Sequence, residues 1–217
     1  MLSLILSDTA ELSLLRLLSV LYTGLRVVIL MVSIRKYEEK DREAVHFICH
    51  NSEGPEEVPD FLTGQFYHNT FCNYYIEHEP ENCFVLDDGG KAVGYIICAE
   101  NFDSFKEIFD REYLPRSDSY GEDRYEWAST AYLRQEDFKE EYPAHFHVDI
   151  LPEYQRMGMG GKLVDTLCAH LVQKGIKGVC LTCGPRNERA MGFYRKLKFT
   201  LLSLDHDDAC FGKKLID

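Results

Sequence analysis

The chain has 217 residues, enough for one domain with a sizeable core; 45% are hydrophobic and 28% charged. A formal net charge of −12 argues against a general nucleic-acid binder. The absence of low-complexity tracts and internal repeats excludes a fibre, a linker or a solenoid.

Residues 1–30 are leucine-rich, but Arg16 and Arg26 interrupt the run of about 20 apolar residues that a membrane helix needs. Asp8 and Glu11 spoil a signal peptide, which also begins with basic residues. These residues read as an N-terminal appendage, either an amphipathic helix or an extension upstream of a second start at Met31, with a membrane-associated helix as the lesser alternative. The domain proper is expected over 31–217.

From there "VSIRKY" reads as a strand and "EEKDREAVHFICHNS" as a helix with Ala44, Val45, Ile48 and Cys49 on one side. A Gly54-Pro55 turn leads to a second helix, "PDFLTGQFYHNTFCNYYIEH". "CFVLDD" and "KAVGYIICAE" flank Gly89-Gly90 as a hairpin. Residues 101–143 read as an irregular, acidic and aromatic insertion, long for a connection within a domain. Such a segment is either a solvated insertion or a functional loop whose Tyr113, Tyr120, Tyr125, Trp127 and Tyr132 build an acceptor pocket.

"AHFHVDIL" alternates as a strand, a helix runs over about 159–174, and "GVCLTC" is a further strand. "NERAMGFYRKL" is a short helix, and "FTLLSL" and "ACFGKKLI" close the domain as strands. Hairpins mixed with helical crossovers indicate an α/β or α+β sheet covered by helices. Of eight cysteines, only Cys180 and Cys183 form a CxxC, with no second pair nearby, so neither a disulfide framework nor a metal site is expected. Reduced, mostly buried thiols in a cytoplasmic protein fit better. No feature of the sequence sets an oligomeric state.

Charge and glycine concentrate at one place. Residues 155–198 hold nine Lys and Arg against two acids, a local +7 that leaves −19 for the rest. Such an island suits an anionic ligand, although solvated helix faces produce the same count. At its start, Gln155-Arg156-Met157-Gly158-Met159-Gly160-Gly161 places three glycines where a helix begins. It fits neither a Walker loop, since Leu163 follows Lys162, nor a GxGxxG fingerprint, which needs glycine at 163. Bare N–H groups at a helix start, aided by its dipole, form an anion cradle with Arg156 as a flanking charge.

The Q-x-x-G-x-G after "ILPEY", followed about 30 residues on by Asn187, Ala190, Phe193, Tyr194, Lys196 and Phe199 in "GPRNERAMGFYRKLKF", resembles the two acetyl-CoA-binding segments of the GNAT acyltransferase superfamily. "AHFHVDILPEYQ" further resembles the acetyltransferase-like domain attached to protein O-GlcNAc hydrolases and its free-standing bacterial relatives. The likeness spans 31–217 and is concentrated in 144–199. Lys198 departs from the family's usual glycine and is expected to alter the turn after the helix.

The resemblance implies a GNAT-like mixed, mostly antiparallel sheet whose fourth and fifth strands (145–151 and 178–183) splay around the pantetheine arm. Val148, Ile150 and Leu151 would then bond the pantetheine amides through their backbone, and the N–H groups of 156–161 would hold the pyrophosphate. It also implies acetyl-CoA as donor, an amine acceptor (a small molecule or a peptide), and Tyr194 as general acid. Packing beside Phe193 is the competing role for Tyr194. Asp149, a carboxylate in an apolar strand end, is the candidate base, or else a cap of the following loop. His145 and His147 share its face and rank below it. Asn187 either orients a ligand or caps the short helix. Besides a working N-acetyltransferase, an acetyl-CoA-binding sensor without turnover and a plain interaction module remain open.

Overall fold

The computed structural model describes residues 32–52 and 61–216, so the expected appendage 1–30 and the Gly54-Pro55 turn lie outside the described residues. Seven strands form one sheet: β1 (Val32–Lys36), β2 (Phe84–Asp88), β3 (Lys91–Ala99), β4 (Ala144–Ile150), β5 (Gly178–Cys183), β6 (Thr200–Leu204) and β7 (Ala209–Lys214). They lie in the order β1-β2-β3-β4-β5-β7-β6. Every pairing is antiparallel except β4 with β5. The expected mixed, mostly antiparallel architecture is therefore present.

Both faces of the sheet are covered, which is why β3 reads as an almost unbroken apolar run and is buried from Ala92 to Ala99. Alternate residues of β4 show the two sides. His145 and His147 meet Tyr75, Phe105, Tyr132 and Phe71, whereas Phe146 meets Tyr194 and Phe199. The long helix Met159–Gln173 packs on the Phe146 side with Leu163, Val164, Leu167 and Leu171 buried. These positions recur every three or four residues, as an amphipathic helix requires.

Two segments differ from the expectation. The single helix expected before residue 78 is divided into Phe61–Phe71 and Asn73–His78 at Cys72, whose backbone leaves helical geometry (φ −125°, ψ −52°). The segment 101–143 is not irregular. It contains the helices Phe102–Ile108, Leu114–Ser117, Glu122–Thr130 and Leu133–Phe138, with a π-helical turn at Phe109–Tyr113. Phe102, Phe105, Phe109, Tyr113 and Tyr132 are buried, so this segment completes the core and is not a solvated insertion. The first four of these recur at helical spacing, a signal the acidic residues between them obscured.

The short helix Glu188–Lys196 ends in a turn at Lys198, whose φ of +64° lies in the left-handed region. Phe199 N–H reaches back to Tyr194 O at 3.0 Å and Lys198 N–H to Arg195 O at 3.0 Å. This is the closure that normally employs glycine. The lysine therefore does not alter the turn, as the sequence suggested, but adopts it at a conformational cost. Replacing Lys198 with Gly should raise unfolding free energy by about 0.5–1 kcal/mol, the left-handed penalty less the added freedom of the unfolded chain. Denaturant titration checks this, and an unchanged or lower stability would refute it.

Candidate active site

The glycine turn is built by two separate constraints. Gly158 has φ +77° and precedes the first helical residue, Met159, so its conformation excludes a side chain without strain. A Cβ on Gly160 would lie 3.2 Å from Phe193 Cζ, so this glycine serves close packing of the two helices. A Cβ on Gly161 would stand at an ordinary 3.5 Å from Leu197. Beneath them the N–H groups of Met159, Gly160 and Gly161 start a helix of 15 residues without acceptors inside it. Arg156 and Met157 are exposed beside this start, while Met159 turns inward and is buried.

Gln155 braces the turn. Its Nε2 donates to Ile150 O at 2.6 Å and to Ser52 O at 2.7 Å, and its Oε1 accepts from Arg189. Its side chain is thus fully engaged by protein.

Next to the turn the sheet opens. β4 and β5 pair only at Ala144–Val179 and His145–Cys180. Beyond that point β4 continues on β3 to Ile150, and β5 continues on β7 to Cys183. Leu151 N–H bonds Val93 O at 3.0 Å, so odd-numbered residues of β4 face β3, and Phe146, Val148 and Ile150 turn their backbone groups toward the opening. Val148 and the Ile150 N–H thus face the opening, whereas Leu151 is engaged through its N–H by Val93 and through its carbonyl by Tyr154 N–H at 2.9 Å.

Each of the three candidate side chains has its own protein partners. Asp149 Oδ2 accepts from Tyr95 hydroxyl at 2.6 Å, and Tyr95 is buried, its phenol pushed well up by burial and then by the Asp149 charge. Tyr194 lies across the sheet among Phe146, Phe193, Phe199 and Phe211. Burial, then Cys183 and Asp149, raise its phenol far above the ordinary value, so it stays protonated. Asn187 Oδ1 accepts from Ala190 N–H at 2.9 Å, the capping role.

His145 and His147 share the Asp149 side of β4. His145 Nε2 meets Tyr75 hydroxyl at 2.9 Å, and Tyr132 hydroxyl lies 3.4 Å from His147 Nε2. Burial lowers both imidazoles, His147 to about 4 and His145 well below its ordinary value. The sequence reading missed Tyr95, which sits in the run "VGYIICA" and looks like core, and also Gln135, whose Nε2 bonds Thr182 Oγ1 at 3.2 Å. No local pattern marks either one.

All eight cysteines are free thiols. Cys180 and Cys183 are three residues apart in one strand and so point to opposite faces. No group of three or more His, Cys, Asp or Glu is arranged for a metal ion among the described residues. Nor is any described helix long and apolar enough to cross a membrane.

A cavity of about 990 Å³ lies elsewhere, between the helices Arg42–Asn51 and Phe61–Phe71, lined by His46, His50, His68, Asn69 and Asn73. It includes none of the glycine-turn residues. His50 Nε2 and His68 Nε2 are 2.8 Å apart, and burial lowers His68 to about 3. The lining of this cavity shares no residue with the glycine turn or with the parted strands β4 and β5.

Comparison with known proteins shows the family and the fold. The model of the acetyltransferase (GNAT) family matches residues 46–199. The crystal structure of SsHAT superposes with a TM-score of 0.77 at 28% identity, covering 86% of this chain and 99% of that one. The paia N-acetyltransferase from Thermoplasma acidophilum, in complex with coenzyme A, superposes with a TM-score of 0.54 at 15% identity, covering 84% and 98%. yncA from Salmonella typhimurium, with its cofactor acetyl-CoA, gives 0.53 at 14% identity, covering 86% and 95%. The last two likenesses speak for the fold alone.

The buried histidines set a pH dependence. Their folded values are depressed, so below about pH 6.5 the unfolded chain binds protons that the folded chain refuses. The stability they contribute is complete above that pH and drains as pH falls toward about 4. His147 should remove about 1.5 kcal/mol between pH 6.5 and 5, and His145 should act in the same direction. Denaturant titrations at pH 7 and 5 test this; equal stability at both would contradict the neutral assignment.

Proposed function

We propose that this chain, which belongs to the acetyltransferase (GNAT) family, moves an acetyl group from acetyl-CoA to an amine by direct attack on the thioester. The observation that carries the reading is the conjunction of parted strands and a bare helix start. The backbone groups of Phe146, Val148 and Ile150 face the opening, and the N–H groups of Met159, Gly160 and Gly161 lie at its end. An extended amide-bearing arm can add to β4 as a strand would, with a diphosphate on the helix start and Arg156 beside it. We further read "AHFHVDILPEYQ" as kinship with the acetyltransferase-like domain of protein O-GlcNAc hydrolases, and the free thiols as residence in a reducing, cytoplasmic compartment.

Acetyl-CoA supplies the activated acyl group. Asp149, fixed by Tyr95, takes a proton from the attacking amine while the new C–N bond forms. Tyr194, kept protonated, gives its proton to the sulfur as the C–S bond breaks. Asn187 serves by holding the start of the helix that carries Tyr194.

Titration with acetyl-CoA, followed by thiol release over a panel of amines, tests the whole reading. Binding without release on any amine would leave the sensor alternative in its place. Tyr194→Phe should slow turnover by about 10²-fold while leaving acetyl-CoA affinity nearly unchanged. A parallel loss of both would make the tyrosine structural. Asp149→Asn should act likewise, and Gly158→Val should weaken acetyl-CoA binding because φ there is +77°.

A further inference from the structure

A group of aromatic rings left open to water marks a surface made for contact. Trp127, the chain's one tryptophan, is 46% exposed and Tyr67 36%, with Phe71 half-buried between them. Tyr67 and Phe71 lie one turn apart on the helix Phe61–Phe71 and stack at 6.0 Å, with 26° between their planes. Trp127, from the helix Glu122–Thr130, stands across both, at 5.4 Å and 80° to Phe71 and at 6.3 Å and 73° to Tyr67. The three rings therefore make a corner. It is fixed from behind, where buried Phe66 meets Trp127 at 5.6 Å. Arg124 joins the two helices, donating to Thr63 Oγ1 at 2.8 Å and lying over Phe66 at 5.5 Å.

Phe71 links this corner to the candidate base. Its ring meets that of His147 at 5.4 Å. His147 begins the one partly exposed stretch of β4, which ends at Asp149, and the two side chains share a face of the strand. β4 is regularly paired on β3 through this stretch, so the two residues are about 7 Å apart. The corner thus stands on the order of 10 Å from the carboxylate. Charge also collects there. Asp123, one turn before Trp127 on the same helix face, is exposed and makes no ion pair among the described residues. Glu126, beside Trp127, is exposed as well. Ring faces next to carboxylates suit a cation, whereas an apolar tail would gain from the rings alone.

We propose that Tyr67, Phe71 and Trp127 hold a second, charged nitrogen of the acceptor, which makes the acceptor an elongated diamine or polyamine. The inference rests on the acetyl-transfer reading of the site beside it. One nitrogen gives its proton to Asp149 and attacks the thioester, as in the transfer already described. The other remains an ammonium ion from binding to product release. Its charge is the same in the ground state and the transition state, so the corner stabilises both equally. Its contribution therefore appears in KM and not in kcat. Two cation–π contacts at a partly exposed site amount to about tenfold in affinity.

Because Trp127 is the only tryptophan, its fluorescence reads the corner without any need for turnover. With coenzyme A present, octamethylenediamine should change that emission saturably. Its dissociation constant should be about tenfold below that of octylamine, which has the same chain and one nitrogen. Trimethylenediamine, too short to join the corner to Asp149, should have no such advantage. In acetyl-transfer assays Trp127→Leu, which keeps apolar bulk but loses the π face, should raise KM for octamethylenediamine about tenfold. Its kcat should be unchanged, octylamine should be nearly unaffected, and Trp127→Phe should keep the preference. Emission indifferent to the diamine, equal binding of octamethylenediamine and octylamine, or an equal advantage for trimethylenediamine would overturn the proposal. So would a preference that survives Trp127→Leu. The fluorescence comparison uses the wild-type chain and stands if the leucine variant fails to fold. Failure of coenzyme A itself to bind would remove the underlying reading and this inference together, whereas coenzyme A binding with an indifferent corner would remove only this one.

Discussion

A sheet ordinarily closes every interior ladder, because a backbone amide or carbonyl left unpaired inside protein is expensive. Here the ladder between β4 and β5 closes over only two residue pairs and then stops in the middle of the sheet. What keeps the halves apart is their attachment elsewhere: β4 remains registered on β3 to Ile150, and β5 on β7 to Cys183. Each half is a sound antiparallel unit, so the strain falls on the narrow zone between them. That zone offers main-chain donors and acceptors at strand spacing to anything extended enough to enter.

The rest of the molecule is arranged around that opening from two sides. On one, aromatic rings surround Tyr194 and hold its phenol protonated in an apolar setting. On the other, His145, His147 and Asp149 descend one face of β4 and are met by tyrosines from three different elements, Tyr75, Tyr95 and Tyr132. A protonated phenol and a carboxylate thus stand on opposite sides of one parted sheet. Gln155 ties the strand end, the loop at Ser52 and Arg189 to the turn between them. The helix start is consequently fixed in advance of any ligand, which lowers the ordering cost of binding.

The helices between Phe102 and Phe138 change the account of where the core ends. They place Phe105 against His145 and Tyr132 against His147, so the acidic segment is continuous with the floor of the site. Its acids lie largely on the outside, while most of its aromatic residues face inward, Tyr125 and Trp127 excepted. Composition alone averages these two faces and conceals both.

Much of the strand and helix order could be read along the chain because it depends on local periodicity and on turn residues. "AHFHVDIL" alternates, "MGGKLVDTLCAHLVQ" repeats at helical spacing, and Gly89-Gly90 separates two apolar runs. The glycine turn was equally legible, because bare amides at a helix start leave a local signature, whereas Asn187 and Tyr194 were singled out by the family resemblance. Tyr95, Gln135 and Thr182 were not, since each finds its partner in a residue remote in sequence. Tyr95 reaches Asp149 across 54 positions and Gln135 reaches Thr182 across 47. The three glycines make the same distinction. Their presence marked the turn, but only the packed helices show that Gly158 serves backbone conformation and Gly160 makes room for Phe193. Sequence determines what depends on spacing along one segment; the partnering of buried polar groups is decided when the sheet brings distant segments together, because a hydrogen bond depends on distance in space and not on order along the chain.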